Sequence, residues 1–430
     1  MRILHFADLH LGVENYGRVD PATGLHSRLL DFLRSFDFII ETALARKVDL
    51  ALFCGDAFRS REPSPTLQCL FAERIRRLAD AGIPVLLLVG NHDLPPLPGR
   101  SSSLEIYPIL EVPGVEVVTR PGLRRIQTPS GPIQVACLPA GEWQAERLPD
   151  EPRAQSVIEE LAYEVKVDAP ALLAAHAGVR GARIGSEGLM GLGRENSFPM
   201  EALARPEFCY VALGHVHSFQ DANPRRSPPV VYCGSPERVD FSEENEPKGF
   251  VIVEISESVQ QFNSSTVQGT VQQFNSSTVQ SPEKEPLAAL DAERSTEGCA
   301  FPVRYEFVET PARRFLTIDL CLEPGAGTVD VLDAIAPRPV DDAVVKLVLR
   351  SLETIALDEK EIRRALESAA YLTRIVKEIE RPPARLRAPG LSRSWDDPLT
   401  ALEEYLKTTQ FSDDRKAQLR AAAAKLVKSS

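Results

Sequence analysis

An α/β fold is what the chain predicts, on three observations. Short apolar runs of strand length alternate with longer segments of helical periodicity, the order that builds parallel sheets with crossover helices. Several of the runs are apolar throughout, as strands inside an α/β sheet are. Five of them stop at Asp, Asn or His, at the carboxyl end where such sheets place ligands. The focal run is Val85-Leu86-Leu87-Leu88-Val89-Gly90-Asn91-His92-Asp93, in which Gly90 lets the chain turn before an amide, an imidazole and a carboxylate.

In order, Arg2 to Ala7 is a strand that delivers Asp8-Leu9-His10. Leu29, Leu30, Leu33, Phe36, Ile39 and Leu44 then recur at helical spacing, so residues 25–47 are a long helix. Val48 to Cys54 is the second strand and ends in Gly55-Asp56. Glu62-Pro63-Ser64-Pro65 turns the chain into a helix reaching about Ala81, and Pro84 opens the focal strand. A short helix (Ser103 to Leu110), strands at Val115 to Val118 and Ile133 to Leu138, and a helix from Ala154 to Val165 follow. Ala171 to Ala175 ends at His176, and Tyr210 to Leu213 leads into Gly214-His215-Val216-His217. Between them, 178–197 holds six glycines and reads as a long loop over the site. Val230 to Cys233 and Gly249 to Ile255 complete a first unit, residues 1–255.

Residues 259–268 and 271–280 repeat the same ten-residue, Gln- and Ser-rich sequence, which marks 256–300 as a low-complexity insertion. Ordered structure restarts as a small α/β unit over 301–380, with strands at Arg314 to Leu322, Val344 to Leu349 and Tyr371 to Glu378. A linker of 381–395, rich in Pro and Arg, precedes a helix-loop-helix tail over 396–430. Its first helix presents Leu399, Leu402, Tyr405 and Leu406 on one face; its second adds Leu419 and Leu426.

Hydrophobic residues make up 43% of the chain, enough for packed cores. The formal net charge of −12 argues against a generally basic coat for nucleic acid, so phosphate would have to be held at a local site. Seven cysteines without a CxxC pair read as reduced, buried thiols, and with no membrane-length apolar run a cytoplasmic protein is expected.

Taken together, the strand ends offer Asp8, His10, Asp56, Asn91, His176, His215 and His217. Oxygen and imidazole donors without thiolate suit Mn²⁺, Fe²⁺ or Zn²⁺. Seven donors are too many for one ion and suit two, bridged by one carboxylate. Two divalent ions outweigh the charge of Asp8 and Asp56, and the surplus attracts an anionic phosphate ester. In extended chain the i, i+2 pairs Asp8/His10 and His215/His217 would point the same way. His5, inside a strand, and His26, at a helix start, read as structural.

The ordered set Asp-x-His, Gly-Asp, Gly-Asn-His-Asp, His and Gly-His-x-His resembles the calcineurin-like metallophosphoesterase superfamily. Within it, Ala7-Asp8-Leu9-His10-Leu11-Gly12 and Gly55-Asp56-Ala57-Phe58 followed by Pro63-Ser64-Pro65 are similar to the SbcD-type DNA repair nuclease subunits. The resemblance implies a sandwich of two sheets flanked by helices, a capping domain and a helix-loop-helix that binds an SbcC-type, SMC-like ATPase. It implies a homodimer, associated with the nucleoid, that acts as 3′→5′ exonuclease and endonuclease on DNA ends, hairpins and single strands. Two Mn²⁺ are the implied cofactors, with Fe²⁺, Zn²⁺ or Mg²⁺ as alternatives. Asp8, His10 and His217 would hold one ion and Asn91, His176 and His215 the other, with Asp56 bridging. His92 matches the family's catalytic histidine and Asp93 its orienting partner. Where many members carry a second histidine after Gly-Asp, this chain has Arg59. Arg180, Arg183 and Arg194, in the glycine-rich segment, are suited to grip a DNA backbone. The motifs equally fit a metallophosphatase for small phosphate mono- and diesters; the cap and tail speak for the nuclease.

Overall fold

The computed structural model describes residues 1–95, 97, 99–141, 152–183, 197–256, 301–352, 355–379, 398–408 and 411–428. The chain first lays down β1 (Arg2–Phe6), β2 (Leu50–Phe53), β3 (Val85–Leu88) and β4 (Val115–Val118). The hairpin β5 (Gly122–Thr128) and β6 (Gly131–Leu138), β7 (Ala171–His176), the short pair β8 (Gly178–Val179) and β9 (Ser197–Phe198), and β10 (Tyr210–Gly214) follow. Then come β11 (Gln220–Asp221), β12 (Val230–Tyr232), β13 (Gly249–Ile255) and β14 (Val303–Glu309). All of these but β8 and β9, which pair only with each other, form two six-stranded sheets, ordered β14-β13-β1-β2-β3-β4 and β11-β12-β10-β7-β6-β5. Strands β1 to β4 are parallel, as are β6, β7, β10 and β12.

Alternation along each strand builds the layers. On β3, Val85 and Leu87 pack with Phe32, Phe36 and Ile40 of the helix Ser27–Arg46 and with Phe71 and Ile75 of the helix Pro65–Asp80. Leu86 and Leu88 face the other way, toward Val135, Leu172, Ala174 and Ala212 of the second sheet. The outer face of the second sheet is covered by Ile158, Leu161 and Leu203. The result is a helix–sheet–sheet–helix sandwich, as expected.

Both main helices begin where the sequence punctuates them. The His26 ring accepts from the Arg28 N–H, and Ser64 caps a helix with Pro65 in its first turn. His5 is structural, its ring nitrogens 3.1 Å from the Tyr210 hydroxyl and 3.2 Å from the Leu213 carbonyl.

Three expectations need correction. The small unit does not start at 301: β14 pairs antiparallel with β13 over its whole length and closes the first sheet. Val303, Tyr305 and Phe307 alternate with charged residues, which suits an edge strand. The unit that remains is β15 (Phe315–Leu322), β16 (Val344–Ser351) and β17 (Tyr371–Ile379), all parallel, with the helices Thr328–Ile335 and Glu359–Ala365 packed on one face. Cys69 and Cys321 are exposed, whereas Cys54, Cys137, Cys209 and Cys233 are buried as expected. Leu406 is 1% exposed, so it belongs to a packed interior rather than to an open docking stripe.

The tail helices Pro398–Thr408 and Asp413–Lys428 are joined by the Arg420–Glu403 ion pair at 2.6 Å. The 259–280 repeat, the 381–395 linker, Arg194 and the Leu426 side chain lie outside the described residues. Among those described, no helix is long and apolar enough to cross a membrane.

A buried charge cluster ties the small unit to the sandwich. The Arg28 guanidinium, 1% exposed, donates to Asp31 at 2.7 Å and to the Arg238 carbonyl at 2.6 Å, between the rings of Phe32 and Phe315. Arg313 donates to the same Asp31 from its Nε at 3.0 Å, and its N–H reaches Glu237.

Candidate metal centre

Every candidate ligand comes from a strand's carboxyl end, but from two sheets rather than one. Asp8 and His10 follow β1, Asp56 follows β2 and Asn91 follows β3; His176 ends β7, and His215 and His217 follow β10. Asp8, His10, Asp56, His176, His215 and His217 are all buried. The facing of the two sheets is what brings the two groups of ends together.

The local backbone is not extended. Asp8, His10, Asp56 and His215 have φ of 54°, 43°, 62° and 98°. This is the left-handed region that L-residues enter at an energetic cost, mostly at functional turns. The i, i+2 expectation therefore fails in its reason. Asp8 and His10 do converge, with His217, into one donor cluster. His215 separates from His217: its Nδ1 lies 3.1 Å from Asn91 Oδ1, and His176 Nε2 lies 2.8 Å from the same oxygen. Gly90 is needed for closeness, since a Cβ there would stand 2.2 Å from Asp56 Oδ1.

Asp56 lies between the clusters. Its Oδ2 is 3.6 Å from His10 Nε2 and 3.4 Å from His176 Nε2. Burial pushes the Asp56 carboxyl up, but the charges of His176, His10 and His92 outweigh it and hold the group below the usual carboxylate range. His176 moves the opposite way: burial lowers it, and Asp56 more than compensates. Burial keeps Asp8 above its ordinary value and His10 well below.

These donors fit a pair of cations. His10 and His217 direct their Nε2 atoms at each other across 3.0 Å, and His10 Nδ1 is buried without a hydrogen-bond partner. Two buried carboxylates stand among four buried imidazoles, an acceptor-rich set that divalent metals satisfy. Asp8, His10 and His217 form one group of donors within 4.8 Å of one another, and Asp8, Asp56 and His176 another.

His92 sits at the rim, half-buried, its ring edge-on to His10 at 4.8 Å. Its N–H donates to Asp56 Oδ1 at 2.8 Å, and its Nδ1 meets the Arg59 carbonyl at 3.1 Å. Asp93 is not the partner that orients His92. Its two oxygens accept from the backbone N–H groups of Asp56 (2.8 Å), Ala57 (3.0 Å) and Gly90 (3.0 Å), so it clamps the two ligand turns together. A main-chain carbonyl, available whatever side chain stands at 59, orients His92 instead.

Arg180 and Arg183 are exposed on the segment after β8. Its backbone is fixed by the Arg180 N–H on the Phe198 carbonyl at 2.9 Å and by the Arg183 N–H on Gln220 at 2.9 Å. Sequence reasoning missed Glu243 and Lys248, which stand behind His217 at 0% exposure of their side chains. No spacing relates them to the ligand motif, and only the fold brings them there.

Two facing sheets whose strand ends carry this donor set define a metal-dependent phosphoesterase. The family model for calcineurin-like phosphoesterases matches residues 1–219, and the chain belongs to that family. Among relatives, it is 29% identical over 280 residues to the SbcD component of the nuclease SbcCD of Bacillus subtilis, covering 59% of this chain and 66% of that one. It is 26% identical over 414 residues to the DNA double-strand break repair protein Mre11 of Halobacterium salinarum, covering 94% and 85%. The match to the Mre11 protein of Aeropyrum pernix is 43% over 96 residues, 22% of this chain and 21% of that one. The chain thus spans about a fifth of the Aeropyrum protein and just under two thirds of the Bacillus protein.

Proposed function

We propose that this chain is the nuclease subunit of a DNA break-processing assembly and hydrolyses DNA phosphodiesters by 3′→5′ exonuclease and endonuclease action. The observation that carries the chemistry is Asp56 standing within 3.6 Å of His10 and 3.4 Å of His176, midway between two donor clusters. Asp8, His10 and His217 would hold one cation and Asn91, His176 and His215 the second, with Asp56 shared between them; the oxygen and imidazole donors suit Mn²⁺. Two bound cations supply charge neutralisation at the phosphate and activation of water. His92 keeps its Nδ1 on the Arg59 carbonyl, which leaves Nε2 to exchange a proton with the leaving oxygen. Asp93 holds the turns of Asp56 and Gly90 so that the donors keep their spacing. Arg180, Arg183 and Arg194 take DNA phosphates. The name of the Bacillus relative, a nuclease subunit, supports cleavage of nucleic acid, and that of the Halobacterium relative, a DNA double-strand break repair protein, supports DNA as the substrate.

The test compares metal-free and Mn²⁺-loaded protein on linear duplex, hairpin and single-stranded DNA, with an aryl phosphate alongside. Cleavage of DNA only with metal is expected. Turnover of the aryl phosphate with inert DNA would establish the small-molecule phosphatase instead.

The same reading makes the chain a homodimer that holds an SbcC-type ATPase through its tail. Leu399, Leu402, Tyr405 and Leu419 are at least partly exposed there and remain for docking; Leu406, being buried, does not. Truncation after Pro389 is expected to abolish co-purification with that ATPase while metal-dependent cleavage of single-stranded DNA persists. Undiminished co-purification would move the docking surface elsewhere.

A further inference from the structure

The three-residue turn Phe241–Glu243 follows the last candidate ligand in the chain, and its last side chain, 26 residues beyond His217, reaches the candidate metal centre from behind. The Glu243 carboxylate accepts from His217 Nδ1 at 2.9 Å and from the Val239 N–H at 2.9 Å, and it pairs with Lys248 Nζ at 2.8 Å. Lys248 does more than balance charge. Its Nζ also donates to the carbonyl of His217 itself at 3.1 Å, to Ser235 Oγ at 3.1 Å and to the partly exposed Glu246 carboxylate at 3.1 Å. The imidazole and the main chain of one ligand are thus held by the two members of a single buried ion pair.

A neutral imidazole has one N–H, and a carboxylate can only accept. Glu243 therefore places the proton of His217 on Nδ1 and turns Nε2, with its lone pair, toward Asp8 and His10. His176 differs. Its Nδ1 meets a neutral acceptor, the Cys54 carbonyl, at 2.7 Å. Anionic and neutral outer partners make ligands of different basicity, and a carboxylate behind a histidine strengthens its bond to a cation.

We propose that Glu243 and Lys248 are positioning residues that set the affinity of the Asp8/His10/His217 cation position, without touching substrate and without serving the Asn91/His176/His215 position. This rests on the dinuclear reading above. Burying the pair is expensive, and a buried ion pair is weak evidence of stabilisation for its own sake. Its expense is intelligible where the pair fixes a ligand.

The test is Mn²⁺ titration of the full chain by calorimetry, with metal content measured after dialysis. Wild type is expected to show two positions. Glu243→Gln should weaken one of them by roughly 10–100-fold, the usual effect of losing an outer partner, and leave the other unchanged. Glu243→Asp should recover part of the loss, and DNA cleavage by Glu243→Gln should return at saturating Mn²⁺. The double variant Glu243→Gln/Lys248→Met removes both fully buried charges together and leaves only Glu246, which reaches solvent, without its lysine, so the chain folds, but it should still show the selective loss. Two unaltered positions in a folded double variant would overturn the proposal, as would equal weakening of both. A wild type that binds fewer than two cations would instead remove the dinuclear reading itself.

Discussion

The two sheets of the sandwich and the three-stranded sheet of the small unit use parallel strands in opposite ways. β2, β3, β7 and β10 are buried at every residue. A strand covered on both faces has no room for a polar side chain along its length, so polar groups collect where it stops. In β15 and β16 one face is covered throughout and the other only in part, at Phe315, Val344 and Val348. Ile318, Val345 and Leu347 are buried, while Thr317, Asp319, Lys346 and Arg350 lie on a groove opposite Tyr16 and Phe241. One arrangement concentrates chemistry at an edge and the other spreads it over a surface, so the sandwich holds a centre and the cap offers a platform.

The sharpest way to break this contrast is at the point where the two sheet edges meet. Asp56→Asn should lower cation content at both positions and reduce cleavage by more than the roughly 10–100-fold that follows loss of an outer partner. Metal analysis and DNA cleavage decide it together, and one untouched position would show that Asp56 serves a single cluster. His92→Ala should lose about 10²–10⁴-fold in rate with both cations retained. Loss of one equivalent of metal from that variant would make His92 a ligand.

Truncations inside each core extend the comparison. Leu87→Ala in β3 and Leu347→Ala in β16, both fully buried, should each cost about 2–5 kcal/mol. The first should lower Mn²⁺ affinity as well as the unfolding midpoint. The second should lower the midpoint alone, as read by differential calorimetry with and without metal.

His5 gives a smaller, pH-dependent effect. Burial lowers its pKa from 6.5 to about 3 in the folded chain. Below pH 6.5 the unfolded chain takes up a proton that the folded chain refuses, so stability falls with pH through that window, by about 1.4 kcal/mol per unit. Urea unfolding at pH 6.5 and pH 5 should show a fall in stability that is smaller in His5→Gln than in wild type by the His5 share. Equal slopes would mean that His5 takes up its proton as readily in the fold as in the unfolded chain. The smallest effect belongs to deletion of 258–282. Cleavage and melting temperature should both stay where they are, because the repeat is polar and falls in the connection between β13 and β14, which pair with each other along their whole length; a shift of several degrees in calorimetry would contradict this.

Most of the fold was legible because its strands and helices carry clean periods. The apolar runs at 85–89 and 171–175 and the helical spacing from Leu29 to Ile39 each point to a single structure. The seven donors were legible because they sit at the ends of such runs. Less visible were pairings that depend on a distant partner. β14 alternates Val303, Tyr305 and Phe307 with charge, yet only its register against β13 assigns it to the first sheet. The i, i+2 reading of Asp8/His10 assumed extended chain, and the left-handed turns were not visible in residue types that ordinarily avoid them. The family resemblance assigns Asp93 to His92, whereas its oxygens are taken by backbone donors from two turns. Glu243 carries no local mark at all.

Those turns also limit what can be transplanted. Asp8, His10, Asp56 and His215 each occupy backbone that costs an L-residue on the order of 1 kcal/mol, and their Cβ atoms aim where they do because of it. Copying the same side chains onto the strand ends of another sheet would let the backbone relax to right-handed or extended geometry and scatter the donors. A glycine at position 8 would relieve the turn and firm up the metal-free chain while deleting a candidate ligand. The centre is therefore inherited as loops with their dihedral angles, and a designer who wants it must graft the turns first and the residues second.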